Sequence, residues 1–371
     1  MSANQTLFES LAIANAERIH SQVVAWVFNL SDDVLGQKVK LNALKELFNL
    51  SNTKDEDIGV FETCETEVKS IDILIETQKY LFVIENKLKS SEHTKQTTRY
   101  KEYVENEYAN KTQRIYGFLS LIEDNPEDKD WVTITYEKLH NILKDCLLEI
   151  KKEKREYHLL SDYVETLDNL VKAYKSFRTE KEVLKYVFNK KEKKGIGKSE
   201  DREYENSSIA IIKRNRLETI FQKAFFKELC NALSLNHFEV DETHGNGQFA
   251  THLKRFVFNG TELKIAFSIQ QNTMKISITP LIYNKSRKEH IEKYEKAFNS
   301  FKIIFNANGF KKFNNPRRHA RYSYSKVMNS KIFEYDYNEL INYINEEITK
   351  AKDLASKYLN ENKFEEILIE N

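Results

Sequence analysis

The chain is poor in the residues that interrupt regular secondary structure. It contains only 9 glycines and 3 prolines among 371 residues, and such scarcity favours long helices and few tight turns. The length exceeds what one ordinary hydrophobic core needs and suits two domains. A composition of 40% hydrophobic and 31% charged residues is typical of a globular protein and excludes a disordered one.

Cysteine is equally scarce. Cys64, Cys146 and Cys230 lie far apart and form no Cys-x-x-Cys pair, which argues against a zinc site and against a disulfide framework. We therefore expect a reducing, cytoplasmic location. The first ten residues lack the basic and apolar segments of a signal peptide. No apolar run approaches the roughly 18 residues of a membrane span, so no membrane partner is expected.

The chain also lacks an excess of either charge, since 58 basic residues face 57 acidic ones. No global basic character therefore indicates nucleic acid, and any DNA or RNA contact would depend on a local patch. The best such patch lies within residues 310–324, where cations interleave with aromatic residues that can stack on bases. Its candidate nucleic-acid-binding residues are Lys311, Lys312, Arg317, Arg318 and Arg321. The alternative is a solvated loop and strand edge in a lysine-rich chain.

The first half of the chain alternates between helical and extended hydrophobic patterns. Apolar residues at helical spacing predict a first helix over residues 14–30. Short apolar runs then predict strands, and runs this apolar are usually central and covered on both faces. The predicted strands are residues 60–68, 70–76, 80–87, 114–121 and 132–135, with a helix at 91–106 and a mainly helical segment at 136–189.

The second half begins after a composition break. Residues 189–206 are polar and charged, which predicts a linker. A helix is expected at 214–235, followed by a three-stranded antiparallel meander whose first hairpin turns at Asn259-Gly260. Helices at 288–305 and 337–359 are expected to cover one face of this sheet. The predicted domains are residues 1–188, the linker 189–206, and 207–371, the last for substrate or partner engagement.

Asp72, Glu85 and Lys87 form the constellation that points to chemistry. Glu85 and Lys87 are two residues apart and project from the same face of a strand. Asp72 lies on the preceding strand, so an antiparallel hairpin would bring its carboxylate to the other two. Asp and Glu oxygens bind Mg²⁺ or Mn²⁺. The metal polarises a phosphoryl oxygen and activates water, and a lysine beside it can position or deprotonate that water. The set suits phosphodiester hydrolysis.

A structural interpretation of the same residues competes with this one. Asp72 could be a strand-end acid that caps a turn, and Glu85 with Lys87 could be an ion pair at the edge of the sheet. An apolar central strand is, however, a costly place for an unpaired carboxylate. We therefore favour the functional interpretation.

The residues around this set resemble a known superfamily. The pattern Ile71-Asp72-Ile73-Leu74-Ile75-Glu76, followed by Val83-Ile84-Glu85-Asn86-Lys87, resembles the PD-(D/E)XK nucleases, with Ile71 in place of the proline that names the motif. The order of helices and strands is similar as well, and the resemblance covers roughly residues 10–145. It implies an α/β fold with a restriction-endonuclease-like αβββαβ core. A helical segment and a second α+β domain with an antiparallel meander would follow.

Further site residues are implied by this resemblance. Gln96 and Tyr100 form a Gln-x-x-x-Tyr element like that beside the active site of helicase-associated relatives. Glu17 matches the place of an additional acid that faces the metal, and the Asn86 backbone carbonyl corresponds to a further metal ligand. The segment from Glu17 to Val23, followed by Trp26, resembles a bacterial family of unassigned role. Glu17 could instead be a solvated helix acid, and Tyr100 a core residue.

Taken together, these patterns predict a Mg²⁺- or Mn²⁺-dependent nuclease that hydrolyses DNA. A role in bacterial defence or restriction is what the resemblance implies. Two alternatives stay open: a non-catalytic nucleic-acid-binding or sensor subunit of a larger complex, and an RNA-directed nuclease. The near-neutral charge also leaves a homodimer or a targeting partner protein open.

Overall fold

A computed structural model gives the fold of the chain. It describes residues 5–88, 96–108, 111, 113–122, 126, 128–188, 207–233, 238–242, 247–270, 273–280, 297, 299–301, 309, 311–312, 322–327 and 335–367. The chain divides into two compact units, each made of two segments of the chain. The first unit consists of Met1–Ser176 and Asp201–Ile220, and the second of Phe177–Glu200 and Phe221–Asn371.

The helices of the described chain are distributed over both units. In chain order they are α1 (Leu7–Ser10), α2 (Glu17–Phe28), α3 (Gln37–Leu47), α4 (Asp55–Ile58), α5 (Gln96–Glu107), α6 (Tyr136–Glu149), α7 (Arg155–Thr179), α8 (Lys181–Phe188), α9 (Ser207–Asn215), α10 (Glu218–Ala232) and α11 (Tyr337–Asn362). Among the described helices, none is long and apolar enough to cross a membrane.

The first unit is built on a five-stranded mixed sheet with the strand order β1-β2-β3-β4-β5. Its strands are β1 (Phe61–Val68), β2 (Ile71–Thr77), β3 (Tyr80–Lys87), β4 (Gln113–Ser120) and β5 (Trp131–Thr135). The first three pair antiparallel, whereas β3, β4 and β5 run parallel. A parallel neighbour requires a crossover connection, and α5 lies in the connection between β3 and β4.

Both faces of this sheet are covered, which explains why its central strands are so apolar. On one face Leu74 and Val83 join a buried cluster with Tyr100 and Val104 of α5. On the other face, Ile73 and Ile84 are buried and α2 packs against β2 and β3. Side chains of adjacent strand residues therefore reach two different layers of the unit.

The helix and strands predicted at the motif agree with the structure to within a few residues. The predicted mixed α/β class is confirmed, and the five-stranded mixed sheet is consistent with a restriction-endonuclease-like core. Helix α3 was not among the predicted elements, although Leu41, Leu44 and Leu47 recur at helical spacing and are buried.

Within its described residues, the second unit contains an antiparallel sheet of seven strands. They are β6 (Phe238–Glu242), β7 (Gly247–Phe258), β8 (Thr261–Gln270), β9 (Thr273–Pro280), β10 (Lys311–Lys312), β11 (Tyr322–Val327) and β12 (Glu365–Ile367). The order is β10-β11-β9-β8-β7-β12, and β6 also pairs with β7. The predicted meander corresponds to β7, β8 and β9 at the centre of this larger sheet. Its hairpin turns at Asn259 and Gly260, which both have positive φ angles as the sequence predicted.

Two helices predicted in the second half are present in the structure. The helix predicted at 214–235 corresponds to α10, which begins later because Arg216 adopts a left-handed φ of 52° that a continuous helix does not allow. Helix α9 before it was not predicted. The helix predicted at 337–359 corresponds to α11. The predicted linker 189–206 and most of the predicted helix 288–305 lie outside the described residues.

Candidate active site

The structure brings Asp72, Glu85 and Lys87 together at one end of the first sheet. Ile73 pairs with Ile84 in the β2–β3 ladder, so Asp72 and Glu85 lie on neighbouring strands with their side chains on the same face of the sheet. Their carboxyl groups are adjacent and interact directly. The Nζ of Lys87 lies 2.5 Å from Oε1 of Glu85. Two acids and one ammonium group therefore share a single site on the face covered by α5.

Burial dominates the electrostatics of the two acids. Glu85 is only 1% exposed. Its burial, together with the negative charge of Asp72, raises the pKa of Glu85 to about 8, although Lys87 opposes the shift. Burial likewise raises the pKa of Asp72, against the hydrogen bond from the Asn86 N–H and the charge of Lys87. Both carboxyl groups are therefore harder to ionise than usual, even though the Lys87 ammonium group lies beside them.

Lys87 responds in the opposite sense to the same surroundings. Burial alone would lower the pKa of its ammonium group, but Glu85 first, and then Glu17 and Asp72, more than offset that effect. The pKa of Lys87 is consequently raised. At neutral pH this lysine is an ammonium group that donates hydrogen bonds.

One oxygen of the acid pair has no hydrogen-bond partner. Oε2 of Glu85 is buried and unbonded among the residues that the structure describes. Oδ2 of Asp72 accepts a hydrogen bond of 2.7 Å from the Asn86 N–H. A buried, partnerless carboxylate oxygen beside a second carboxylate suits a hard divalent cation such as Mg²⁺ or Mn²⁺.

The donor set fits such a cation only if water or backbone completes the coordination. Within the described part of the chain, no group of three or more His, Cys, Asp or Glu side chains could hold a metal. Mg²⁺ usually keeps several waters and takes one or two carboxylates from the protein. Two carboxylates are therefore compatible with Mg²⁺ or Mn²⁺, and they do not match the closed four-ligand set of structural zinc.

Glu17 lies beside this site at the first residue of α2. Its Oε1 accepts a hydrogen bond of 2.8 Å from the N–H of Leu88, directly after Lys87. Its charge acts on both Asp72 and Lys87. Glu17 thus joins α2 to the end of β3 and contributes negative potential to the site.

Gln96 and Tyr100 occupy the first turns of α5, above the same face of the sheet. The Nε2 of Gln96 donates to the Tyr100 hydroxyl at 3.4 Å. Burial, and then the charges of Glu85 and Asp72, raise the pKa of Tyr100. Tyr100 is also packed in the cluster that contains Leu74 and Val83. Its ring is therefore part of the core, while its hydroxyl lies within the electrostatic reach of the acids.

The side chain of Asn86 makes contacts that the sequence does not predict. The superfamily resemblance implies a role only for its backbone carbonyl, as a metal ligand. In the structure the side chain is buried and hydrogen-bonds to Glu17, Ser21 and Tyr136. An amide within a strongly apolar run is the one signal in the sequence that could have indicated a buried polar contact.

The predicted basic patch is only partly within the described residues. Lys311 and Lys312 form β10, which pairs with β11 at the edge of the second sheet. Arg317, Arg318 and Arg321 lie outside the described residues. Nucleic-acid binding by this patch stays a prediction.

Comparison with known proteins finds a match for the part of the chain that carries this site. Residues 5–165 match the family model described as PD-(D/E)XK nuclease superfamily. This match, which spans less than half of the chain, confirms the resemblance found in the motif. The match includes Asp72, Glu85 and Lys87 and ends before the second sheet. No curated protein matches the chain, and no solved structure does either.

Proposed function

We propose that the chain is a metal-dependent nuclease that hydrolyses phosphodiester bonds of DNA, with its active site at Asp72, Glu85 and Lys87. One observation carries the proposal. A buried carboxylate, a half-buried carboxylate and a lysine meet at the end of the sheet, within residues that match the model of a nuclease superfamily. A binding module has no physical need for this costly arrangement.

Asp72 and Glu85 would hold the metal. Oε2 of Glu85 lacks any other partner among the described residues, and the Asn86 N–H orients the Asp72 carboxylate. The backbone carbonyl of Asn86 would be a further ligand. When bound, Mg²⁺ or Mn²⁺ would supply Lewis acidity and lower the pKa of a coordinated water.

Lys87 would orient water and balance charge. Its ammonium group is held at the acids by Glu85 and keeps its proton at neutral pH, so its N–H groups can donate to a water molecule or to a phosphate oxygen. Such a donor is worth most where negative charge develops in a site with little water. Glu17, Gln96 and Tyr100 would support this arrangement from α2 and α5.

The second unit would engage the substrate or a partner. Its sheet carries Lys311 and Lys312 at one edge, and the predicted patch also includes Arg317, Arg318 and Arg321. A homodimer or a separate targeting protein would serve the same purpose in a chain with a net charge of +1. Bacterial defence or restriction is the setting that the superfamily resemblance implies, and the three scattered cysteines favour the cytoplasm.

Cleavage assays test the proposal directly. Linear duplex, supercoiled circular and single-stranded DNA, as well as RNA, would be incubated with Mg²⁺, Mn²⁺ or EDTA. We expect metal-dependent cutting of DNA by the wild type and none by Lys87→Met. Preferential cutting of RNA would replace DNA as the substrate. Absence of cutting on all four substrates, with no Mn²⁺ binding, would favour the non-catalytic alternative.

Lys111 offers a matched control for Lys87. It is also a buried lysine of the first unit, and it pairs with Glu62 and Glu76. Its Nζ donates to the carbonyl of Thr77, at the opposite end of β2 from Asp72. Lys111→Met should therefore lose a buried ammonium group together with its ion pairs and still cut DNA.

A further inference from the structure

The buried side chain of Asn86 is held by hydrogen bonds at both ends of its amide. Nδ2 donates to the backbone carbonyl of Glu17 at 2.9 Å and to Oγ of Ser21 at 3.1 Å. Oδ1 accepts from the hydroxyl of Tyr136 at 2.7 Å. The Glu17 carbonyl can only accept, so the amide orientation is determined, and Tyr136 must be the donor to Oδ1.

These contacts join three elements of the first unit. Asn86 lies in β3, Glu17 and Ser21 in α2, and Tyr136 is the first residue of α6. Ser21 Oγ also donates to the Glu17 carbonyl at 3.2 Å, and Tyr136 is fully buried. We call the Asn86 amide, the Glu17 carbonyl, the Ser21 hydroxyl and the Tyr136 hydroxyl the Asn86 clamp.

The clamp acts where the β2–β3 ladder ends. The last pair of that ladder is Ile73 with Ile84. Beyond this pair, the Asn86 N–H of β3 donates to the Asp72 carboxylate instead of to a backbone carbonyl of β2. On the other side, β3 stays paired with β4 as far as Lys87. Asn86 is thus the point at which β3 is attached both to Asp72 and to the helices behind the sheet.

Asn86 therefore holds residues of the site without facing it. Glu85 and Lys87 flank Asn86 and point to the opposite face of the strand. Any rotation or shift of Asn86 would move both neighbours and the donor that orients Asp72.

We infer that Asn86 is a positioning residue, which acts through the clamp to keep Asp72, Glu85 and Lys87 in the geometry that binds the cation and orients water. This inference rests on the proposed function. Outer contacts of metal ligands typically change metal affinity or activity by about 10- to 100-fold when removed. Displacements of about 1 Å in a reacting site can cost about 100-fold in rate.

Tyr136→Phe is the most selective test, because it removes one hydroxyl from the clamp and leaves the packing of the ring. Asn86→Asp is the stronger variant, since it directs a carboxylate oxygen at the Glu17 carbonyl, but it is also the variant more prone to misfold. For each protein we would measure Mn²⁺ affinity by calorimetry, the melting temperature in EDTA, and kcat and KM for the DNA that the wild type cuts.

Tyr163→Phe is the matched control. Tyr163 is another fully buried tyrosine of the first unit, and its hydroxyl bonds to Nδ1 of His20 at 2.8 Å instead of to Asn86. Tyr136→Phe should lower Mn²⁺ affinity and kcat by about 10-fold, with KM changed less than about twofold. Tyr163→Phe should lower the melting temperature by a similar amount and leave Mn²⁺ affinity and kcat at wild-type values.

The outcomes separate the clamp from the proposed function. If the wild type binds Mn²⁺ and cuts DNA, and Tyr136→Phe does both equally well, the inference about Asn86 is overturned and the nuclease stands. Equal losses of Mn²⁺ affinity in Tyr136→Phe and Tyr163→Phe would show that the clamp acts only through core packing, and this outcome would also overturn the inference about Asn86. A wild type that neither binds Mn²⁺ nor cuts DNA would refute the proposed function, and the inference with it.

Discussion

The backbone N–H of Asn86 donates a 2.7 Å hydrogen bond to Oδ2 of Asp72, just beyond the last pair of the β2–β3 ladder. The Asp72 carboxylate takes the place that a backbone carbonyl would have in a continued ladder. Strand β3 consequently sets the position of this carboxylate, and its other oxygen, Oδ1, is a candidate metal ligand beside Glu85. An asparagine at position 72 could accept the same hydrogen bond, so Asp72→Asn should remove charge without removing this connection.

Glu85→Gln should keep the stability of the fold and weaken the binding of metal. In EDTA we expect the variant to be at least as stable as the wild type, because it removes one of two adjacent acids, of which Glu85 is buried and Asp72 half-buried. In the wild type, Mn²⁺ at 100 times its dissociation constant should stabilise the fold by about 2.7 kcal/mol. Glu85→Gln should lose most of this gain. Thermal unfolding with EDTA or Mn²⁺ provides the measurement, and an unchanged Mn²⁺ effect would remove Glu85 from the metal site.

Two substitutions separate the charge of Glu17 from its hydrogen bond to the Leu88 N–H. Glu17→Gln keeps an oxygen to accept the Leu88 N–H and loses the charge, whereas Glu17→Ala loses both. If Glu17 serves the site by its charge, both variants should lose cleavage by about 10-fold or more, and only Glu17→Ala should also lose about 1 kcal/mol of stability. Full activity of Glu17→Gln would show that the strand contact is its only role.

His20 should make the first unit sensitive to acid. Its Nε2–H donates to the Ala14 carbonyl, while Nδ1 accepts from the Tyr163 hydroxyl. Burial lowers the pKa of His20 to about 4, below the ordinary 6.5 of the unfolded chain. The unfolded chain therefore binds the proton more readily, and stability present above pH 6.5 is lost as the pH falls toward 4.

The expected loss is about 3 kcal/mol between these two pH values. Denaturant unfolding from pH 7 to pH 4 would measure it. His20→Gln should lack this part of the pH dependence. The control is His140→Gln, which should retain it, because His140 lies in the same unit and its hydrogen bond is exposed. Parallel curves for the wild type and His20→Gln would contradict the neutral, buried state of His20.

Gly117 should tolerate no side chain. It lies in β4 opposite Ile84, and a Cβ added there would come within 2.5 Å of Cδ1 of Ile134 and 2.8 Å of Cε1 of Phe48. Both neighbours are buried and cannot move freely. Gly117→Ala should cost about 1–3 kcal/mol, measured by chemical unfolding. Gly36→Ala meets nothing closer than 3.9 Å and is the control; equal losses in the two variants would contradict the prediction.

The basic patch makes a prediction about salt. Replacing Arg317, Arg318 and Arg321 by Gln should weaken DNA binding and reduce the slope of log affinity against log salt by about 3, or roughly 0.9 for each phosphate contact. Replacing the exposed residues Lys144, Lys151 and Lys152 removes the same charge from the first unit. An equal change in both triple variants, or an unchanged slope in the first, would exclude the patch as a contact surface.

Much of the first unit could be predicted because its signals are local. The helix at α2 and the strands β1 to β3 follow from hydrophobic period and from a short hairpin, which act over a few residues. The break between α9 and α10 could not be predicted in this way. It depends on the left-handed conformation of Arg216, and nothing in the side chain of an arginine favours that conformation.

Local sequence pattern is enough to place the acids and the lysine on their strands. It also puts Glu85 and Lys87 on one face, because alternation along a strand is a property of the backbone. The position of Asp72 beside Glu85 depends instead on the register of the two strands, since a shift of one residue would have turned Asp72 to the other face. The contacts that hold Asn86 likewise depend on tertiary packing. Tyr136 is 50 residues away in the chain, and contacts over such separations arise from the packing of whole elements.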